Sequence, residues 1–308
     1  MRMPERKRRQ HHVWQHYLKS WATDNQIWCL RDGSVFQTNT TKVAVERDFY
    51  KIPELTTEDI ALIKWLVINP AQHQLTQKNH ENFLAMLTAP SRLAEQFRKF
   101  AKDPKELGDL LDIIRTNVLE DYHAGIEDSF SPLLDEILRN DLSFYADGQR
   151  CITFTHFLCT QHMRTKNVKE KSIERVRLNG GPDISRIWDI MSHMFAVNIG
   201  MCLYLERSKR TLALVQNCTD VPFVTGDQPI INLHGDGATP PETLSFYYPV
   251  SPRLALLWPE VGEAPAFTTD ALTPAQAADL NMRMLKASHS QVFAQTESEL
   301  LLVKQSQG

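Results

Sequence analysis

The order of local patterns constrains this 308-residue chain more than any motif within it. Residues 26–30 and 34–36 flank Asp32-Gly33, a two-residue turn that favours an antiparallel hairpin, and 41–45 reads as a third short strand. From Thr56 the signal is helical as far as residue 206. Strand-like runs return only after Lys209, at 211–216, 223–224, 230–233, 244–248 and 254–257. A hairpin this small is marginal by itself in water. It must pair with or pack on the C-terminal strands, with the helical middle wrapped around both. Strands and helices do not alternate, which disfavours a doubly wound parallel sheet. The expected fold class is α+β: a short N-terminal hairpin joined to C-terminal antiparallel or mixed strands, wrapped by a large helical middle section. One module over 10–305 is expected, with a hairpin unit 10–50, a helical middle 56–206, C-terminal strands plus helix 209–303, and a basic tail 1–9 in front.

Trp14, Tyr17, Leu18 and Trp21 recur at spacings of three and four, predicting a first helix over 13–22. Thr56 ahead of Glu58 and Asp59 marks the next helix start. Further helical stretches are predicted at 57–68, 79–88, 91–101, 106–121, 130–139, 150–176 and 184–206, the last two separated by Asn179-Gly180-Gly181-Pro182. An exposed loop at 234–243, a helix at 274–288 and a strand-like run at 300–303 complete the reading.

Hydrophobic residues at 42% and charged residues at 23% are ordinary for a folded domain, so disorder is not the default. A net charge of −3 makes no global demand for nucleic acid. The one strong bias is Arg2, Arg6, Lys7, Arg8 and Arg9, which can grip phosphates by counterion release or form a solvated tail. The five cysteines show no CxxC spacing and read as buried thiols of a reducing, cytoplasmic setting rather than a zinc cluster or disulfide framework. Residues 187–205 are long enough to span a bilayer, but Asp189, Ser192, His193 and Asn198 are costly in lipid. A buried central helix explains them, and no membrane role is expected.

P-loop, GxGxxG, HExxH, GxSxG and kinase signatures are missing from the sequence. Four groupings remain. If the first helix includes residue 11, His11 stacks on Gln15 and His12 on His16. His12 and His16 would then make half of a divalent-metal site, or one imidazole could act as general acid or base. The alternative is a polar helix start. In the second grouping, Gln161 and Arg164 share a helix face with Phe154, Phe157 and Val168. A buried Arg needs an acceptor, which a ligand or a structural partner such as Asp48 or Asp227 would supply. Thr225-Gly226-Asp227-Gln228-Pro229 places a carboxylate at a strand end, as ligand, base or clamp, or as an ordinary turn. Arg47-Asp48-Phe49-Tyr50 is either site chemistry or an ion pair beside a core anchor.

These segments together resemble domain-of-unknown-function family 4238 (DUF4238), a mainly bacterial family. The resemblance rests on His11-His12-Val13-Trp14-Gln15-His16-Tyr17-Leu18, Val43-Ala44-Val45-Glu46-Arg47-Asp48-Phe49-Tyr50, residues 157–165, Thr225 to Pro229 and Pro249-Val250-Ser251-Pro252. Trp14 stands where the family pattern has Pro, Gly226 where it has Ser and Gln228 where it has Asn. The resemblance brings no established activity. It implies that His11, His12, Gln15, Asp48, Gln161, Arg164, Thr225 and Asp227 gather in one pocket.

Such an inventory suits a nuclease-like hydrolase of phosphodiesters or nucleotides, in the setting of a bacterial toxin or antiviral defence effector. His11, His12, Asp48 and Asp227 would be catalytic, with a divalent metal as an option. Gln15, Gln161, Arg164 and Thr225 would bind substrate, and Arg6, Lys7, Arg8 and Arg9 would contact nucleic acid. Two other readings stand beside it: a non-catalytic nucleotide- or anion-binding module, and a partner-binding regulatory protein.

Overall fold

The computed structural model describes residues 4–97, 103–235 and 243–305. Most of the expected 234–243 loop, the end of the expected 91–101 helix and Arg2 lie outside the described residues. Strand β1 (Arg9–His11) and helix α1 (Gln15–Leu18) open the chain, and a 3-10 turn carries α1 on through Trp21. Asp32 and Gly33 take φ of 51° and 72°, closing β2 (Gln26–Arg31) on β3 (Ser34–Asn39) as their sequence requires. Strand β4 (Val45–Arg47) then pairs back on β1.

The helical middle follows as α2 (Thr57–Ile63), α3 (Gln74–Phe97), α4 (Pro104–Leu138), α5 (Gly148–Met163), α6 (Lys166–Leu178) and α7 (Trp188–Leu205). Thr56 begins α2 with a reciprocal capping box to Asp59. The rest is β5 (Ala213–Gln216), β6 (Thr225–Gly226), β7 (Ile231–Asn232), β8 (Phe246–Ser251), β9 (Leu254–Trp258), α8 (Pro274–Ala287), β10 (Gln291–Ala294) and α9 (Glu297–Gln305).

The N-terminal hairpin recruits C-terminal strands, in a four-stranded sheet ordered β3-β2-β10-β6. A second sheet is ordered β5-β9-β8-β7, and every pairing is antiparallel. The fold is therefore α+β, with antiparallel sheets and a large helical section between their contributing segments. Trp21, Tyr17, Phe130, Phe154, Phe157 and Tyr248 fill the main core, where the Phe130 and Phe157 rings stack at 3.7 Å. Among the described residues, no helix is long and apolar enough to cross a membrane.

Several boundaries differ from expectation, each for a physical reason. The predicted helices 106–121 and 130–139 are one helix, α4. Gly125 and Pro132 do not break it, because Ile126, Phe130, Leu133, Leu134 and Ile137 keep its buried face continuous. Helix α3 likewise runs through Pro90. The single helix expected over 150–176 divides at Arg164–Thr165, where the one hydrogen of the Thr165 hydroxyl is shared between His162 O and the Gln228 side-chain oxygen. The 300–303 run is helical, not a strand. Leu300 and Val303 are buried one turn apart, and Glu299 accepts from the Gln295 and Thr296 N–H groups ahead of it. The central partner strand β10 was not foreseen.

Residues 4–9 are not a free basic tail. Arg6 pairs with Asp112 at 3.0 Å and Lys7 with Asp121 at 2.6 Å, and Arg8 grips Asp48 through two bonds of 3.2 and 2.9 Å. Arg9 donates to Thr41 O at 2.7 Å. Buried Gln10 then ties the strap down, donating to Thr116 O and accepting from Tyr50 N–H, both at 2.6 Å.

Candidate active site

Strand β1, the hairpin and α4 enclose a polar cavity of about 490 Å³. His11, Gln15, His16 and Lys19 come from the N-terminal segment, Asn25, Asn39 and Thr41 from the hairpin region, and Glu120, His123 and Glu127 from α4. The α4 residues sit at i, i+3 and i+7, which places them on one helix face.

Behind this wall lies Arg164, which is buried. Its guanidinium donates to Glu127 at 2.5 Å and to the Gln161 side-chain oxygen, and Gln161 donates onward to His12 O at 2.9 Å. Gln161 and Arg164 thus hold the chain at His12 against the Glu127 carboxylate. The expected partners Asp48 and Asp227 do not serve Arg164; Glu127 does.

Polar atoms without protein partners concentrate here: His11 Nε2, both ring nitrogens of His12, Glu120 Oε2, His123 Nδ1 and Arg164 Nε. Buried polar atoms seldom stay unpaired in folded proteins, so a cluster of them around one cavity marks a place suited to polar ligands or water. Burial raises the Glu120 pKa to about 7, against the pull of Arg164. Burial also raises Glu127, while its ion pair with Arg164 opposes the shift. Burial pushes His11 down and lowers His12 to about 3, with the Arg164 charge adding to the latter.

His123 reaches through α4 to a second histidine. Its Nε2 lies 2.9 Å from His193 Nε2, so one ring donates from Nε2 and the other is protonated on Nδ1. Burial lowers both, His193 to about 3.

The implied constellation gathers only in part. His11 and Gln15 line the cavity, and His12, Gln161 and Arg164 support it from behind. His11 ends a strand opposite Val45, and Trp14 precedes the first turn of α1, so the expected helical stacking of His11 on Gln15 and His12 on His16 is not formed. His12 is buried while His16 is exposed, which removes the expected metal half-site. Among the described residues, no group of three His, Cys, Asp or Glu is placed to hold a metal.

Asp48, Thr225 and Asp227 do not line this cavity. Asp48 holds Arg8. The Thr225 hydroxyl meets Tyr17 Oη at 2.6 Å, and Tyr17 donates to Pro249 O. Asp227 accepts the N–H groups of His289, Ser290 and Gln291 at 2.7, 2.9 and 3.0 Å, together with the Ser290 hydroxyl. It fixes the turn that delivers β10. Asp227→Ala is expected to cost about 2–4 kcal/mol in urea unfolding, because several charge-assisted bonds vanish together. A loss below about 0.5 kcal/mol would contradict the anchoring role.

Glu120, His123 and Glu127 were missed in the sequence. Their signal was Glu-x2-His-x3-Glu at helical spacing, and ending the helix at 121 cut it in two.

A family model described as "Protein of unknown function (DUF4238)" matches residues 9–298. The chain belongs to this family. No curated protein and no solved structure matches it. Two of its departures from the DUF4238 pattern have structural counterparts. Trp14 fills a site against Phe130 and Phe157, with ring centroids 6.2 and 5.7 Å away. At Gly226 an added Cβ would stand 2.0 Å from Ser288 Oγ and 3.0 Å from Gln291 O. Gly226→Ala should therefore cost about 1–3 kcal/mol by overpacking, and adding Ser288→Gly should recover part of that loss in thermal melts. Equal stability of Gly226→Ala and wild type would refute the clash.

Proposed function

We propose that the cavity is the centre of a hydrolase in which Glu120 transfers a proton to or from the reacting group. The observation that supports this is a pair of carboxylates, two helical turns apart on α4, with opposite surroundings. Glu127 is bound to a buried guanidinium, whereas Glu120 Oε2 meets no protein partner. Environments that separate two carboxyl groups in this way are what divide acid, base and electrostatic roles in hydrolytic sites. Glu127 and Arg164 form a charge-balanced wall. Gln15, Asn25, Asn39 and Thr41 offer neutral donors and acceptors for orienting a polar substrate.

The charge balance narrows the substrate. His11 and His123 are held neutral by burial, and among the described residues Lys19 is the one Lys or Arg that lines the cavity. One phosphodiester linkage, with its single negative charge, is compatible with this arrangement; a polyphosphate is not matched. The ion-paired Arg6, Lys7 and Arg8 give little support to a nucleic-acid grip at the N-terminus.

The test is a hydrolysis panel of RNA, single-stranded DNA, cyclic and linear nucleotides, and neutral glycosides and esters, run with Mg²⁺, Mn²⁺ or EDTA. Wild type and Glu120→Gln are compared, with folding checked by melting. Turnover of one class, lost in the folded variant, is the expected result. Ligand-induced stabilisation without turnover of any class would sink the hydrolase reading and favour a binding module.

A further inference from the structure

His123 stands in the wall of the α4 cavity, and a smaller cavity of about 230 Å³ lies between α3, α4 and α7. Its walls include Phe83 of α3, Tyr122 of α4, and His193 and Val197 of α7. Asn79 and Met86, which also line it, are exposed, so solvent reaches it. The rings of His123 and His193, with centroids 4.7 Å apart, link one cavity to the other.

Two packed histidines are ordinarily a structural pair, each ring held in one tautomer by a bond at its outer nitrogen. His162 is held in this way, donating from Nδ1 to Ile230 O at 2.9 Å. At the His123–His193 pair the two Nε2 atoms face each other at 2.9 Å, and Nδ1 of each ring is buried without a protein partner. Among the described residues, no hydrogen bond therefore selects which ring donates. The groups around the pair are Arg164, His156 of α5, the Tyr50 ring 4.2 Å from His123 and the Tyr122 ring 5.1 Å from His193. Burial, and after it neighbouring charge including that of Arg164, opposes an imidazolium on either ring. A proton can cross here only if one leaves as another arrives.

We infer that His123 and His193 form a proton relay between the α4 cavity and the smaller one. A proton from solvent in the smaller cavity joins His193 Nδ1, the Nε2–H of His193 passes to His123 Nε2, and His123 gives its Nδ1–H to a base in the α4 cavity. One proton enters and one leaves. Both rings stay neutral with their tautomers exchanged, and the reverse steps return a proton and reset the pair. Glu120 lies one helical turn from His123 on the same face of α4. The relay gives it a route to solvent that a substrate filling the α4 cavity does not block. Its use by Glu120 rests on the hydrolase reading; the relay itself does not.

Nitrogen NMR of the full chain with isotope-labelled histidine rings tests the relay, with His123→Gln and His193→Gln used to assign the signals. Both tautomers should be populated at each ring of the wild-type protein, seen as averaged or doubled signals at Nδ1 and Nε2. A single fixed tautomer at each ring, as a purely structural pair would show, overturns the relay. On the substrate class found by the hydrolysis panel, His193→Gln should lower kcat by about tenfold or more at unchanged KM, with folding checked by melting. Glutamine can still bond His123 Nε2, but it cannot hand a proton on. An unchanged kcat overturns the use of the relay by Glu120. The spectra need no substrate, so the relay and the hydrolase reading fail separately.

Discussion

Glu120→Gln is expected to lower turnover by about 10²- to 10⁴-fold, the usual contribution of a positioned acid or base, while making the protein more stable above neutral pH. Both effects have one cause. Burial raises this carboxyl from its ordinary 4.5 to about 7. Between those two values the folded protein holds a proton that the unfolded chain has released. Stability therefore falls as pH rises through that window and levels off above it. The accumulated cost above pH 7 is on the order of 1–3 kcal/mol. Glutamine has no proton to lose and escapes it. Urea unfolding of both proteins at pH 5 and pH 8 measures the difference, and the rate profile of wild type should carry a limb near pH 7 that the variant lacks. A variant with full activity, or one destabilised at pH 8 relative to wild type, would remove Glu120 from its assigned role.

Arg164→Met should be the most destabilising single change in the site, by about 3–5 kcal/mol, because it leaves a buried carboxylate without its counter-charge. Glu127 loses its ion pair, and Gln161 loses the donor on its oxygen while still holding His12 O. Protonating Glu127 relieves the fault, so the loss should shrink as pH falls. Adding Glu127→Gln should restore much of the stability without restoring activity, since the wall would no longer carry its charge pair. A double-mutant cycle by urea unfolding separates these terms. A loss under about 1 kcal/mol for Arg164→Met would show that the guanidinium does little for the fold.

How much was legible follows from the range of each signal. The hairpin could be read because Asp32-Gly33 acts locally, and its need for outside strands followed from its size. Gln161 and Arg164 could be flagged because polar residues interrupt an apolar face. The partner of Arg164 could not be found that way, since Glu127 approaches through tertiary packing and not through spacing. The gap left between the helices expected at 106–121 and 130–139 has the same origin: burial of the α4 stripe carries the helix across Gly125. Asp227 looked catalytic because a carboxylate on a tight turn can be either anchor or ligand. Only the positions of residues 289–291 decide between the two.

Strand β2 has β3 on one side and β10 on the other, and β10 is made long after β2 and β3. Until then β2 presents one unpaired edge, although its neighbours along the chain are already complete. Pairing across so long a stretch of sequence closes slowly, and open strand edges invite association between chains. The wall of the α4 cavity built from the hairpin region shares this late step. Refolding should therefore lose yield as protein concentration rises, and site formation should trail the appearance of helical signal.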